Sequence, residues 1–265
     1  MSTQASFFSP LRELQRWAMD WIASWWQLLH FSVLVATLAL APSSYNARHR
    51  PALARQLVLG SAPHLPWFTL VSALISIVII RIVVVTSQSY GLSRYALEMV
   101  VRVLVLELIP LITALFVALR STLPAGVEFA QMRAASKGKN AVTGMIGLRD
   151  EFFPRAVAGM FSVWLLGAVS CVLTLILAYL TIYGFTPYAL QGYTRVVGQI
   201  FTPPVALILV LKIFFFSLAV GLIPLASSFH AGSWRLRHVH GLSDMVRMFS
   251  VLLLIEAASL VGNYY

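Results

Sequence analysis

The sequence predicts an all-α membrane protein built from an N-terminal interfacial or re-entrant helix, five transmembrane helices and a cytoplasmic helix between the second and third of them. Three observations carry this. Hydrophobic residues make up 59% of the 265 and charged residues 11%, against about 45–50% and about 25% in soluble domains, and the mean hydropathy is +0.84. Apolar runs long enough to cross about 30 Å of hydrocarbon as helices recur along the chain. Lysines and arginines gather in alternate connections between those runs, as they do when one side of a membrane retains them.

The N-terminal element is Pro10–Leu40. Ser9 and Pro10 form a helix start, and Trp17, Trp21 and Trp25 recur at i, i+4, which suits a helix lying at the membrane interface. Its apolar part, Trp25–Ala41, is at the lower limit for a span and has arginines on both sides. The segment is therefore expected to enter the membrane and return, with a sixth span as the alternative. Pro42–Pro51 reads as a linker. Residues 1–62 form this element and its linker, and residues 63–265 the transmembrane domain. Glu13 and Asp20 among the arginines, with no small-residue cleavage pattern after them, do not suit a cleaved signal peptide.

Four runs qualify as spans by length: Pro66–Val85, Tyr95–Leu119, Ala156–Thr181 and Pro204–Leu225. Met245–Val261 is a shorter fifth. With the N-terminus cytoplasmic, Arg12, Arg16, Arg48, Arg50 and Arg55 precede the first span on that side. Arg120, Arg133, Lys137, Lys139, Arg149 and Arg155 follow the second, and Arg235, Arg237 and Arg247 surround the last loop. Only Arg94 and Arg195 fall opposite, so five crossings leave Tyr265 outside the cytoplasm. This distribution accounts for the +10 net charge without nucleic acid. The single cysteine, Cys171, allows neither a disulfide framework nor a cysteine metal cluster.

Between the second and third spans, Pro124–Leu148 opens with proline and carries Glu128, Met132 and Arg133, which suggests a short helix along the membrane surface; an undirected amphipathic loop is the alternative. Catalytic patterns are weak. Gly138-Lys139-Asn140 lacks the upstream glycine and the Ser/Thr of a phosphate loop. His238 and His240 with Asp244 lack a further metal ligand in what reads as a short basic loop, and Ser227, Ser228 and His230 lack an orienting acid. No metal and no cofactor are expected.

The charges inside apolar runs are more informative, because each costs about 2.5–3.5 kcal/mol at the centre of the bilayer by insertion measurements. They are Arg81, Arg102, Glu107, Lys212 and Glu256. Burial in pairs or snorkelling to an interface explains such residues in general, and Glu98 with Arg102 has the i, i+4 spacing of a pair. Glu107 precedes Pro110, where a proline loosens the helix, which favours a cavity-lining role for Glu107 over a buried ion pair. The first two spans are joined by a few residues after Tyr90. They form an antiparallel hairpin with Gln88 and Tyr90 at its outer end, where a tyrosine tolerates acyl chains and polar groups together.

From about Arg55 to the C-terminus the order of residues resembles the MlaE/YrbE-type permeases of ABC transporters that work with MCE-domain lipid-binding proteins. Glu107-Leu108-Ile109-Pro110 is similar to the family's E-L-G-P, and Arg120, Glu128, Met132 and Arg133 follow at the family's spacing. Further matches are Arg55-Gln56-Leu57, Gln88, Tyr90, Pro154-Arg155, Lys212 and Phe216. Leu106 stands where the family has arginine, Ile109 where it has glycine, Ala135-Ser136-Lys137 where it has T-E-Q, and Glu256 where an aspartate is usual. The threonine-rich motif is degraded around Gly241–Arg247.

The resemblance implies a non-enzymatic permease subunit working as a dimer with a second copy, identical or homologous, in a cell inner membrane. ATP hydrolysis would reside on separate ATPase subunits docked beneath, with Glu128, Met132 and Arg133 on a coupling helix. An MCE-domain protein would sit on the outer face, and a phospholipid or related lipid would bind beside Thr86, Ser87, Gln88, Tyr90, Glu107 and Leu108. The rival readings are a secondary transporter or channel and a membrane-embedded lipid enzyme. The first lacks inverted repeats, and the second lacks a nucleophile with a base.

Overall fold

The computed structural model describes Trp26, residues 30–35, Thr37 and residues 50–128, 153–230 and 237–264. Among these residues the secondary structure is helical, with no strand. We label the helices α1 (Arg50–Ser61), α2 (Leu65–Ser89), α3 (Ser93–Glu128), α4 (Phe153–Tyr183), α5 (Leu190–Ile200), α6 (Pro203–His230) and α7 (Arg237–Tyr264). Five stretches are long and apolar enough to cross a membrane: Leu53–Ser89, Ser93–Glu128, Phe153–Tyr183, Pro203–Ala226 and Asp244–Asn263. They coincide with the five spans the sequence predicts.

Why α2 ends where it does is legible in its turn. Gly91 has φ +70°, its amide donates to the Gln88 carbonyl at 3.1 Å, and the Leu92 amide donates to that of Ser87 at 2.7 Å. This pair of bonds closes the helix with a left-handed residue that glycine adopts without steric penalty. The chain reverses at once into α3, giving the expected hairpin.

Helix α4 is the central element, packing against α1, α2, α3 and α6. Its contacts use small and hydroxyl side chains, as expected where lipid supplies no hydrophobic drive between helices. Ser76 of α2 and Thr174 of α4, both fully buried, share a hydrogen bond of 2.9 Å. Ser162 donates to the Gly60 carbonyl of α1 at 3.1 Å. A Cβ on Gly221 of α6 would lie 2.8 Å from Met160 Cγ and 3.0 Å from the Ala156 carbonyl, so the α4–α6 crossing requires glycine. The largest apolar cluster joins Phe68, Val117, Leu166, Phe216, Ile223 and Leu252 from α2, α3, α4, α6 and α7.

At the arginine-rich end, residues 30–35 are helical. Phe31 and Val35 pack with Phe153 and Ala156 of α4 and Leu222, Leu225 and Ala226 of α6. The remainder of Pro10–Leu40, and with it the expected return across the interface, lies outside the described residues. The sequence reading starts a new helix at Pro124, whereas residues 123–128 prolong α3; residues 129–148, including Met132 and Arg133, lie outside the described residues. The final helix starts at Arg237, so His238, His240 and Asp244 belong to α7 and not to a loop. Residues 237–243 extend this helix beyond its membrane-compatible part, which begins at Asp244.

Candidate functional site

Pro110 organises the middle of α3. Residues Val101–Leu108 form a π-helix, the Ile109 amide donating to the Leu104 carbonyl five residues back. A proline has no N–H to continue this ladder. The two carbonyls an amide at position 110 would serve are Val105 in a π register and Leu106 in an α register. Both are met by other helices: Cys171 Sγ of α4 lies 3.8 Å from the Val105 oxygen, and Lys212 Nζ of α6 donates to the Leu106 oxygen at 3.1 Å. π-helical turns concentrate at functional sites, and here the turn presents Glu107 beside Lys212.

Lys212 is 2% exposed and Glu107 7%. The ammonium donates to Glu107 Oε2 and lies 2.8 Å from Glu256 Oε2 of α7, at ion-pair distance without hydrogen-bond alignment. Asn263 Nδ2 donates to Glu107 Oε1 at 3.1 Å. The Phe216 ring, one turn along α6, has its centroid 5.8 Å from Nζ. One buried ammonium thus faces two carboxylates and ties α3, α6 and α7 together. Removing one member of a buried pair typically costs about 3–5 kcal/mol, since a charge is left uncompensated.

The residues singled out in the sequence do not form a single cluster. Thr86 and Gln88 are exposed, and Tyr90 is 77% exposed at the arginine-poor end. Ser87 is turned inward, its hydroxyl 3.8 Å from Met99 Sδ of α3. Leu108 packs partly buried against the α2–α3 contact. Glu107 lies about 20 Å along α3 from Ser93, by the rise of a helix, in the ion cluster on the α6–α7 side. Glu98 and Arg102 pair at 2.9 Å, at the spacing the sequence shows. At the other end Glu128 pairs with Arg155 of α4 at 3.0 Å. Among the described residues no group of three or more His, Cys, Asp or Glu is placed to hold a metal.

Helix α5 was not anticipated. Its face Tyr193, Val196, Val197 and Ile200 covers Leu97, Val101 and Val105 of α3; the i, i+3, i+4, i+7 spacing was the signal for it. The Tyr193 hydroxyl donates to the Leu175 carbonyl at 2.8 Å. Burial, reinforced by the neighbouring Tyr183, pushes this phenol up to about 12.

Five helices long and apolar enough to cross a membrane, packed around a buried charged cluster, define a multi-pass membrane protein. The sequence profile of the family described as Permease MlaE matches residues 53–259. The chain therefore belongs to the MlaE permease family, whose members are permeases of lipid ABC transporters. No curated protein sequence matches it.

Proposed function

We propose that this chain is the membrane subunit of an ABC transporter that moves phospholipid or a related lipid between the inner membrane and an MCE-domain partner, driven by separate ATPase subunits. The observation that carries the reading is the family match across nearly the whole spanning region. Two copies, identical or homologous, enclose the lipid path. Thr86, Ser87, Gln88 and Tyr90 border it at the outer end of the α2–α3 hairpin, and Glu107 and Leu108 border it deeper, with the N-terminus cytoplasmic and the C-terminus periplasmic.

The geometry supports a route for coupling. Helix α3 runs about 50 Å from the outer turn to Glu128, so a push on the segment carrying Glu128, Met132 and Arg133 is delivered to the Glu107 turn by one element. The Glu128–Arg155 pair passes the same displacement to α4. The two π-helical stretches, Val101–Leu108 and Ala118–Thr122, are the places where α3 changes register most readily, because their hydrogen bonds are already out of the α ladder. Lys212 would move with α3 and carry α6 and α7.

Reconstitution tests this. The chain, co-expressed with an adjacent ABC ATPase and MCE-domain protein and placed in liposomes, should transfer fluorescent phospholipid to or from the MCE protein in an ATP-dependent manner. Transfer driven by a proton gradient without ATP would replace this reading with a secondary transporter whose coupling site is the Glu107–Lys212–Glu256 cluster.

A further inference from the structure

Helix α7 carries polar atoms that its own bundle leaves unanswered. Its inward face is marked by the buried Met248 and Leu252 and, two turns further on, by Ser259, which is 7% exposed, whereas Leu253, Leu254, Leu260 and Val261 face outward. Glu256, Ser259 and Asn263, spaced i, i+3, i+7, share that inward side. Among the described residues five buried side-chain nitrogen or oxygen atoms lack a hydrogen-bond partner, and three of them are here: Glu256 Oε2, Ser259 Oγ and Asn263 Oδ1. The other two are single hydroxyls, on Ser72 of α2 and Ser170 of α4. Both ends of the α7 run reach the ion cluster, Glu256 through Lys212 at 2.8 Å and Asn263 through Glu107 at 3.1 Å, and Ser259 stands between them.

The charges in the cluster do not balance. Glu107 and Glu256 bring two carboxylates and Lys212 one ammonium. Other cations on the neighbouring helices are engaged or distant. Arg102 of α3 is held by Glu98 and Arg155 of α4 by Glu128, and Arg195 of α5 is exposed. Arg247 precedes Glu256 on α7 by nine residues, about 13 Å along the axis. One negative charge is therefore left buried within spanning helices, where an uncompensated ion is costly.

Three species could answer these two demands, and only one answers both. Water satisfies oxygens but leaves the charge. A proton on one carboxylate cancels the charge but supplies a single donor where three oxygens lack a partner. A monovalent cation cancels the charge and takes several oxygens at once, whereas a divalent ion would leave the cluster positive. We propose that Glu107 and Glu256, with Ser259 Oγ and Asn263 Oδ1, form a sodium-binding site that locks α7 against α3 and α6. Carboxylate, hydroxyl and amide carbonyl oxygens are the ligands a hard cation prefers. The site does not depend on the transport reading.

The test compares the full-length, detergent-solubilised protein in sodium chloride and in choline chloride at equal ionic strength and mildly alkaline pH. Melting is followed by tryptophan fluorescence and binding by retention of radioactive sodium. Sodium at about a hundred times its dissociation constant should raise the melting midpoint by about 5–10 °C, with one ion retained per chain. Ser259→Ala should raise the sodium concentration needed for half the effect about tenfold, the loss of one charge-assisted contact. Glu256→Gln, which leaves the cluster neutral, should abolish both readouts. Ser72→Ala removes an unpartnered hydroxyl on α2 and should leave both as in the wild type. Equal midpoints in the two salts with no ion retained, undiminished binding in Ser259→Ala or Glu256→Gln, or loss of binding in Ser72→Ala would each overturn the site. A midpoint that rises on acidification and ignores sodium would assign the missing charge to a proton and overturn it equally.

Discussion

Replacing Lys212 with methionine tests the central cluster most directly. The variant keeps the length and apolar character of the side chain but removes the ammonium. It deletes the hydrogen bond to the Leu106 oxygen, one of two that replace the amide missing at Pro110, and strips the counter-charge from Glu107 and Glu256. A charged hydrogen bond is worth about 1.5–3 kcal/mol, and a buried pair broken on one side costs about 3–5 kcal/mol. Protonation of the stranded carboxylates limits the sum, so a net loss of about 3–4 kcal/mol is expected. For a chain of this size about 1 kcal/mol corresponds to about 2–4 °C, giving a fall in melting temperature of about 10 °C. Tryptophan fluorescence of the detergent-solubilised protein measures it. The triple variant Lys212→Met, Glu107→Gln, Glu256→Gln removes every charge and should recover the part of the loss due to the uncompensated carboxylates, because no ion remains to be desolvated, while the hydrogen bond to the Leu106 oxygen stays lost. A single variant melting within about 2 °C of wild type would refute the cluster. A triple variant no better than the single one would refute its electrostatic origin.

Three further outcomes are expected. Gly126→Ala places a Cβ 2.7 Å from the Pro224 carbonyl, a backbone atom that cannot swing aside, and should cost about 1–3 kcal/mol; Gly198→Ala in α5, with nothing within 4 Å, should be neutral or slightly stabilising, both read from thermal unfolding. Replacing Glu128 and Arg133 together should release the ATPase while the bundle stays folded, checked by co-purification and melting; retained ATPase would remove the coupling role. Cysteines at Thr3 and Asn46, in a Cys171→Ser background, should both resist an impermeant thiol reagent added outside, and labelling of one alone would show that Pro10–Leu40 crosses.

Much of the fold was legible because the bilayer imposes a length and a polarity that one-dimensional patterns record directly. The five spans, the hairpin after Tyr90 and the Glu98–Arg102 pair all depend on residues close together in sequence. Helix α5 was within reach of the same reasoning, since Tyr193, Val196, Val197 and Ile200 carry a helical stripe, but its few turns sit between two stronger apolar runs. Glu107 was recognised as a charge needing company, and the cavity-lining role was preferred over an ion pair. The structure gives Glu107 Lys212 and Asn263 as direct partners, and the lipid-facing role stays a proposal.

Sequence alone determined that this chain lives in a membrane, how many helices are long enough to cross it, and which of their residues are too polar to be left facing hydrocarbon. It also carried the family resemblance that the profile match makes good. Only the tertiary structure decided which charges meet. Lys212 is 105 residues from Glu107, and nothing in the spacing of residues on one helix encodes the rotation and depth of another. Those are set by packing, above all by the close approaches at Gly126, Gly159 and Gly221, which place α3, α4 and α6 near enough for Cys171 and Lys212 to reach the carbonyls that Pro110 leaves open. Local periodicity fixes which face a residue occupies, and close packing of three helices fixes what that face touches.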